Sequence, residues 1–168
     1  PRKGAADQAA MAVRKALAEE RGSILVFLPG QGEIRRAADL LAGHLPPDTD
    51  LAPLYGALTG AEQTAAIRPA PEGRRKVVLA TAIAQTSLTI EGVRVVIDSG
   101  LSRVPVYEPS TGLTRLETVR VSRAAADQRR GRAGRMEPGL CYRLWDEPQT
   151  AALAADDRPA ILEADLSR

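Results

Sequence analysis

The sequence predicts an α/β domain of three layers around a mostly parallel central sheet, with a β-hairpin protruding from it. Three observations point there. Short, almost wholly apolar runs at 23–28, 76–81 and 93–98 suit strands covered on both faces, as in a parallel sheet. Segments with helical apolar spacing lie between or beside them, the alternation of an α/β layer fold. Between 104 and 121 the pattern changes to alternation about a turn, which argues for a hairpin.

Ala5 to Glu20 is alanine-rich, with Met11, Val13 and Leu17, and reads as an amphipathic helix. The run Ser23-Ile24-Leu25-Val26-Phe27-Leu28 reads as a strand stopped by Pro29-Gly30. Glu33 to His44 follows as a helix, with Ile34, Ala37, Leu40 and Leu41 at helical spacing. Leu51–Tyr55 is a weaker strand, and Ala61–Ile67 a short helix closed by Pro69 and Pro71. Strands at Lys76–Thr81 and Val93–Asp98 come next. The hairpin pairs Val104–Tyr107 with Leu113–Val121 across Glu108-Pro109-Ser110-Thr111-Gly112. Ser122 is placed to N-cap a helix through Ala124, Ala125 and Ala126 into an arginine-rich stretch. Gly139–Trp145 returns to strand, and a helix is expected from about Glu147 to Ala155, before Pro159.

At 168 residues, 44% of them hydrophobic, the chain is expected to be one globular domain with a substantial core. The expected core runs over about 22–146, leaving 147–168 as a helix and linker toward a following domain. The balance of 23 bases against 21 acids is too even to imply nucleic-acid binding by itself. The single cysteine, Cys141, excludes an internal disulfide and a cysteine-based zinc site, and its apolar neighbours make it a buried strand residue. The single histidine, His44, is read as a solvated helix end. A serine–histidine triad or a histidine metal site needs more than that. No apolar run approaches membrane-spanning length, so no membrane is expected. No signal peptide follows the start, and a cytoplasmic setting is the default. Beginning on Pro without Met suggests a piece excised from a longer protein.

Excess charge collects in one place. Six arginines against one acid, Asp127, lie between Arg120 and Arg135, and Gly131 and Gly134 fall among them. A solvated helix face would mix signs and avoid glycine, which costs about 1 kcal/mol per helical position relative to alanine. Glycines beside arginines suggest close approach to something negative. Arginine's planar donor fork matches phosphate oxygens. If the stretch is helical, Gln128, Arg132 and Arg135 share a face at i, i+4 and i+7, like a phosphate sensor.

No Gly-x4-Gly-Lys-Ser/Thr occurs, so the chain has no nucleotide-phosphate cradle of its own. Gly30-Gln31-Gly32 lacks the third glycine of a dinucleotide fingerprint, Arg35 standing in that place. The segment from Ala80 to Gly92 follows a buried strand and sets Thr81, Thr86, Ser87, Thr89 and Glu91 beyond its carboxyl end, where open α/β sheets bind ligands. The hairpin carries Arg103, Arg115 and Arg120 but one aromatic, Tyr107, of five in the whole chain. Base stacking needs exposed rings. Any nucleic acid is therefore held by its backbone, largely without sequence preference. Two other readings stay open on the residues alone: a non-enzymatic nucleic-acid-binding module with a plain basic patch, and a small-ligand α/β domain using the loop after Thr81.

The stretch Gln128-Arg129-x-Gly131-Arg132-Ala133-Gly134-Arg135 resembles motif VI of DEAH-box superfamily 2 helicases. Ala80–Gly92 resembles their motif V, and Ile24–Ile34 their motif IV. Leu54–Leu58, Pro69-Ala70-Pro71 and Gly112–Leu116 are similar to the bacterial HrpB-type members. The likeness spans nearly the whole chain with the motifs in order.

The resemblance implies the second RecA-like domain of an ATP-dependent RNA helicase, an NTP hydrolase of which this fragment alone is inactive. It implies ATP and Mg2+ held mainly by a first RecA-like domain before Pro1, and accessory domains after Arg168. By position, Gln128, Arg132 and Arg135 face the γ-phosphate, with Arg132 and Arg135 as arginine fingers. Thr89 and Glu91 touch the ribose, and Ser87 helps sense the γ-phosphate. Gly30 and Thr81 contact the nucleic-acid backbone, and the hairpin bearing Arg103 engages the single strand, RNA or in its place DNA. The chain departs from the family in three places: Ala82 stands for an Asn that touches that backbone, Gln85 for Glu, and Ile67 for an aromatic that stacks on adenine. The first weakens the backbone grip, and the last implies loose discrimination among nucleoside triphosphates.

Overall fold

A computed structural model of the chain describes residues 4–54, 61, 64, 68–81, 92–130 and 140–144. Five strands form one sheet: β1 (Ser23–Phe27), β2 (Thr49–Pro53), β3 (Arg75–Ala80), β4 (Val93–Asp98) and β7 (Leu140–Arg143). Their order is β2-β3-β1-β4-β7, and every pairing is parallel. Helix α1 (Ala5–Glu19) precedes β1, α2 (Gln31–Leu41) follows it, and α3 (Arg123–Arg130) stands before β7. Strands β5 (Leu101–Glu108) and β6 (Leu113–Arg120) make a separate antiparallel hairpin. The expected α/β architecture is therefore the one observed.

β1 shows why an unbroken apolar run marks a central strand. All five of its residues are buried, and they divide between the two faces of the sheet. Ile24 and Val26 join Leu28, Val77, Leu79, Val95 and Ile97 under α1 and α2. Leu25 and Phe27 join Val78, Ala80, Val93 and Val96 on the opposite face, the side on which Arg129 of α3 stacks over the Phe27 ring. Helices on both faces give the three layers.

The core face of α1 differs from expectation. Alanines 6, 9, 10 and 16 are buried with Val13, whereas Met11 stands 55% exposed. Small side chains allow α1 to lie close against α2 and the sheet, and methionine falls on the wet side of the same helix. Helix α2 starts at Gln31 rather than Glu33, since Gly30, extended, occupies its N-cap. It ends at Leu41, three residues before the expected end at His44, which is exposed as expected but lies beyond the helix. Cys141 is half-buried rather than buried, because β7 is an edge strand.

The hairpin is longer than the sequence suggested, pairing Leu101 with Arg120 at its base and Glu108 with Leu113 at its tip. Gly112, at φ 69°, takes the left-handed backbone that the tip requires. The amide N–H groups of Thr111 and Gly112 donate to the Glu108 carbonyl. Of the expected helix over 61–67, only Ala61 and Thr64 are described, and both are helical. The expected helix over 147–155 and the tail to Arg168 lie outside the described residues.

Candidate functional site

Parallel strands place their carboxyl ends on one edge. Phe27 pairs with both Ala80 and Asp98, and Asp98 with Arg143, so four strands end level. Three of the expected segments leave from that edge: the Gly30 turn after β1, Thr81 after β3, and the hairpin after β4. Such an edge is where open α/β sheets take their ligands.

Gly30 and Arg103 meet. Gly30 is buried, and a side chain there would run into the Arg103 guanidinium. Arg103 Nη2 donates to Glu33 Oε2 at 2.9 Å and its Nε to Thr118 Oγ1 at 3.2 Å. Both charged side chains are about 70% covered, at 29% and 28% exposed. The hairpin's arginine is thus braced against the first turn of α2, bringing two of the three expected nucleic-acid residues into one contact. Thr81, the third, is half-buried immediately past β3.

Helix α3 is opened as its sequence implies. Ser122 Oγ accepts the Ala125 amide at 3.0 Å, a side-chain cap on the third helical residue. Val121, Ala125 and Ala126 are buried together, and Gln128 is exposed. Of the three residues expected to face a phosphate, Gln128 alone lies among the described residues. Arg132, Arg135, Ser87, Thr89 and Glu91 lie outside them, as do the departures Ala82, Gln85 and Ile67.

The residue that sequence reasoning missed is Arg129. Counted in a run expected to approach an external anion, it points inward and is fully buried. Its Nη1 donates to Asp98 Oδ1 at 2.8 Å and to the Leu101 carbonyl at 3.2 Å. Its Nη2 donates to Ser102 Oγ at 2.7 Å, and the guanidinium carbon lies 5.0 Å from the centre of the Phe27 ring. Asp98 Oδ1 also accepts the Gly100 amide at 2.8 Å. Gly100, at φ 76°, adopts the left-handed turn that lets the chain leave β4 for the hairpin. A signal for this was present: Arg129 follows Ala125 and Ala126 by four and three residues, on the buried side of the helix. The one acid of the cluster, Asp127, pairs with Arg143 of β7 at 3.0 Å.

The two partly or wholly buried acids at this edge, Asp98 and Glu33, are each paired with an arginine. Gln128 is exposed, and Thr81 is half-buried just past the end of β3. Among the described residues no cluster of three or more His, Cys, Asp or Glu side chains is placed to hold a metal ion. No helix among them is long and apolar enough to cross a membrane.

A fold of this kind, with motif-bearing turns on the carboxyl edge and an added hairpin, defines a helicase C-terminal domain. The chain belongs to the helicase conserved C-terminal domain family, which matches residues 8–137. It is RecA-like and of the DEAH-box, HrpB-like type. It is 53% identical over 161 residues to the ATP-dependent RNA helicase HrpB of Escherichia coli (strain K12), covering 96% of this chain and 20% of that protein. It is 43% identical over 160 residues to the ATP-dependent RNA helicase DEAH12, chloroplastic, of Arabidopsis thaliana, covering 95% of this chain and 9% of the relative. A crystal structure of the E. coli DExH-box NTPase HrpB superimposes with a TM-score of 0.88 at 51% identity, over 95% of this chain and 20% of that one. The chain thus spans a fifth or less of the length of these relatives.

Proposed function

We propose that the chain is the second RecA-like domain of an ATP-dependent RNA helicase and supplies one wall of the ATP cleft and one side of a single-strand channel. The observation that supports this most is the level carboxyl edge of β1, β3 and β4, from which the Gly30 turn, Thr81 and the hairpin all emerge. In this reading Arg132 and Arg135 act as arginine fingers with Gln128 beside them. ATP, with Mg2+ held mainly by a first RecA-like domain, supplies the phosphoryl group. Fingers of this kind stabilise charge that develops in the transition state, worth roughly 10³–10⁵ in rate where measured in other proteins. Ser87, Thr89 and Glu91 line the nucleotide's γ-phosphate and ribose. Gly30 and Thr81 hold the nucleic-acid backbone, and Arg103 keeps the hairpin set against the strand.

The plain basic patch fits less well. It needs its arginines in solvent, and Arg129 at its centre is fully buried against Asp98. Comparison of the full-length protein with the 168-residue chain tests the proposal. The full-length protein should hydrolyse ATP faster with single-stranded RNA and separate a tailed duplex, and the chain alone should do neither. Sustained ATP turnover by the chain alone, or none by the full-length protein, would contradict it.

A further inference from the structure

We propose that Arg129 is a positioning residue that couples the hairpin to the helix leading into the arginine fingers, so that a strand engaged at the hairpin sets the rate of ATP hydrolysis. The inference rests on the function proposed above and concerns how its two halves communicate.

The geometry points to a joint more than a filler. An ion pair to Asp98 alone would neutralise a buried guanidinium, yet Nη1 and Nη2 also donate to Leu101 and Ser102, the first two residues of the hairpin. Successive residues of a strand face opposite ways. Ser102 accordingly turns to α3 through Arg129, and Arg103 turns to α2 through Glu33. The base of the hairpin is gripped between the helix after β1 and the helix before β7, and Val121 N–H closes it onto the Gly100 carbonyl at 2.9 Å. On α3, Gln128 is exposed and its neighbour Arg129 is buried, so a movement of the helix at its outer face is felt one residue away at the hairpin. A planar fork presents donors from two nitrogens at fixed angles, whereas an ammonium offers its three from one rotatable nitrogen and does not span the same acceptors.

Two variants of the full-length protein test this: Arg129→Lys, which keeps the charge beside Asp98 but loses the fork, and Ser102→Ala, which removes one acceptor. ATP turnover is measured with and without a saturating uridine homopolymer, along with KM for ATP and binding of the same RNA. Both variants should keep basal turnover, KM and RNA affinity while losing at least about fivefold of the stimulation, the low end of coupling between two sites. Ser102→Thr, which retains the hydroxyl, should restore it. If Arg129→Lys does not fold, Ser102→Ala and its rescue decide the matter. Full stimulation in folded Ser102→Ala overturns the coupling and leaves the proposed function intact. A wild-type protein that RNA does not stimulate overturns both.

Discussion

Arg129 and Asp98 form an ion pair of 2.8 Å with both side chains fully buried, at the point where β4 ends and the hairpin begins. Removing one charge of such a pair strands the other in a medium that solvates it poorly, at a cost of about 3–5 kcal/mol. Asp98→Ala or Arg129→Met should therefore lower the Tm of the purified chain by at least about 6 °C. The double substitution should cost less than the two single ones summed, because neither charge is then left alone. Thermal unfolding of the four proteins checks this, and strict additivity would show that the pair is not the reason for the cost.

Gly30→Ala addresses the contact beneath the hairpin. The added methyl meets the end of the Arg103 side chain, which can swing away only by leaving Glu33. The pair is partly solvated, so its loss should cost no more than about 1 kcal/mol. The hairpin is expected to respond more than the domain does, with faster amide hydrogen exchange over Leu101–Arg120 and unchanged protection in β1. Equal exchange in both proteins would mean that Arg103 does not brace the hairpin.

Two half-buried aspartates contribute to the acid limb of stability. A hydrogen bond from Arg36 holds the Asp7 carboxyl below its ordinary 3.8, and one from Arg74 does the same for Asp50. A depressed carboxyl stabilises the fold above its unfolded pKa and loses that contribution as pH falls through the folded one. The chain should thus weaken below about pH 4, and 1 M salt should flatten this limb because both pairs are open to solvent. Carboxyl-carbon NMR titration checks the premise: midpoints for Asp7 and Asp50 at or above 3.8 would contradict it.

Much of the sheet was legible because burial on both faces leaves few choices of residue. β1, β3 and β4 fall within a residue of the apolar runs that announced them. β2 was less so: it starts at Thr49, two residues before the expected Leu51, and all of it after Thr49 is only half-buried on the sheet edge. The cap at Ser122 was legible because its hydroxyl and the alanines after it have one obvious use. Arg129 was not, since a charged residue amid five other arginines invites an outward reading. Its inward place depends on Asp98, 31 residues earlier, which sequence alone showed only as the end of a strand. The same limit applies to Arg103, whose partner Glu33 lies 70 residues away.

The central claim, that this domain reaches across to a triphosphate held elsewhere in the same protein, is tested most directly by Arg135→Ala in the full-length protein. ATP turnover and single-stranded RNA affinity are measured together over a range of salt concentrations. The account predicts that turnover falls by roughly 10³ or more, with RNA affinity and its salt dependence kept. Turnover near that of the wild type, or RNA affinity lost together with a shallower salt dependence, would contradict it.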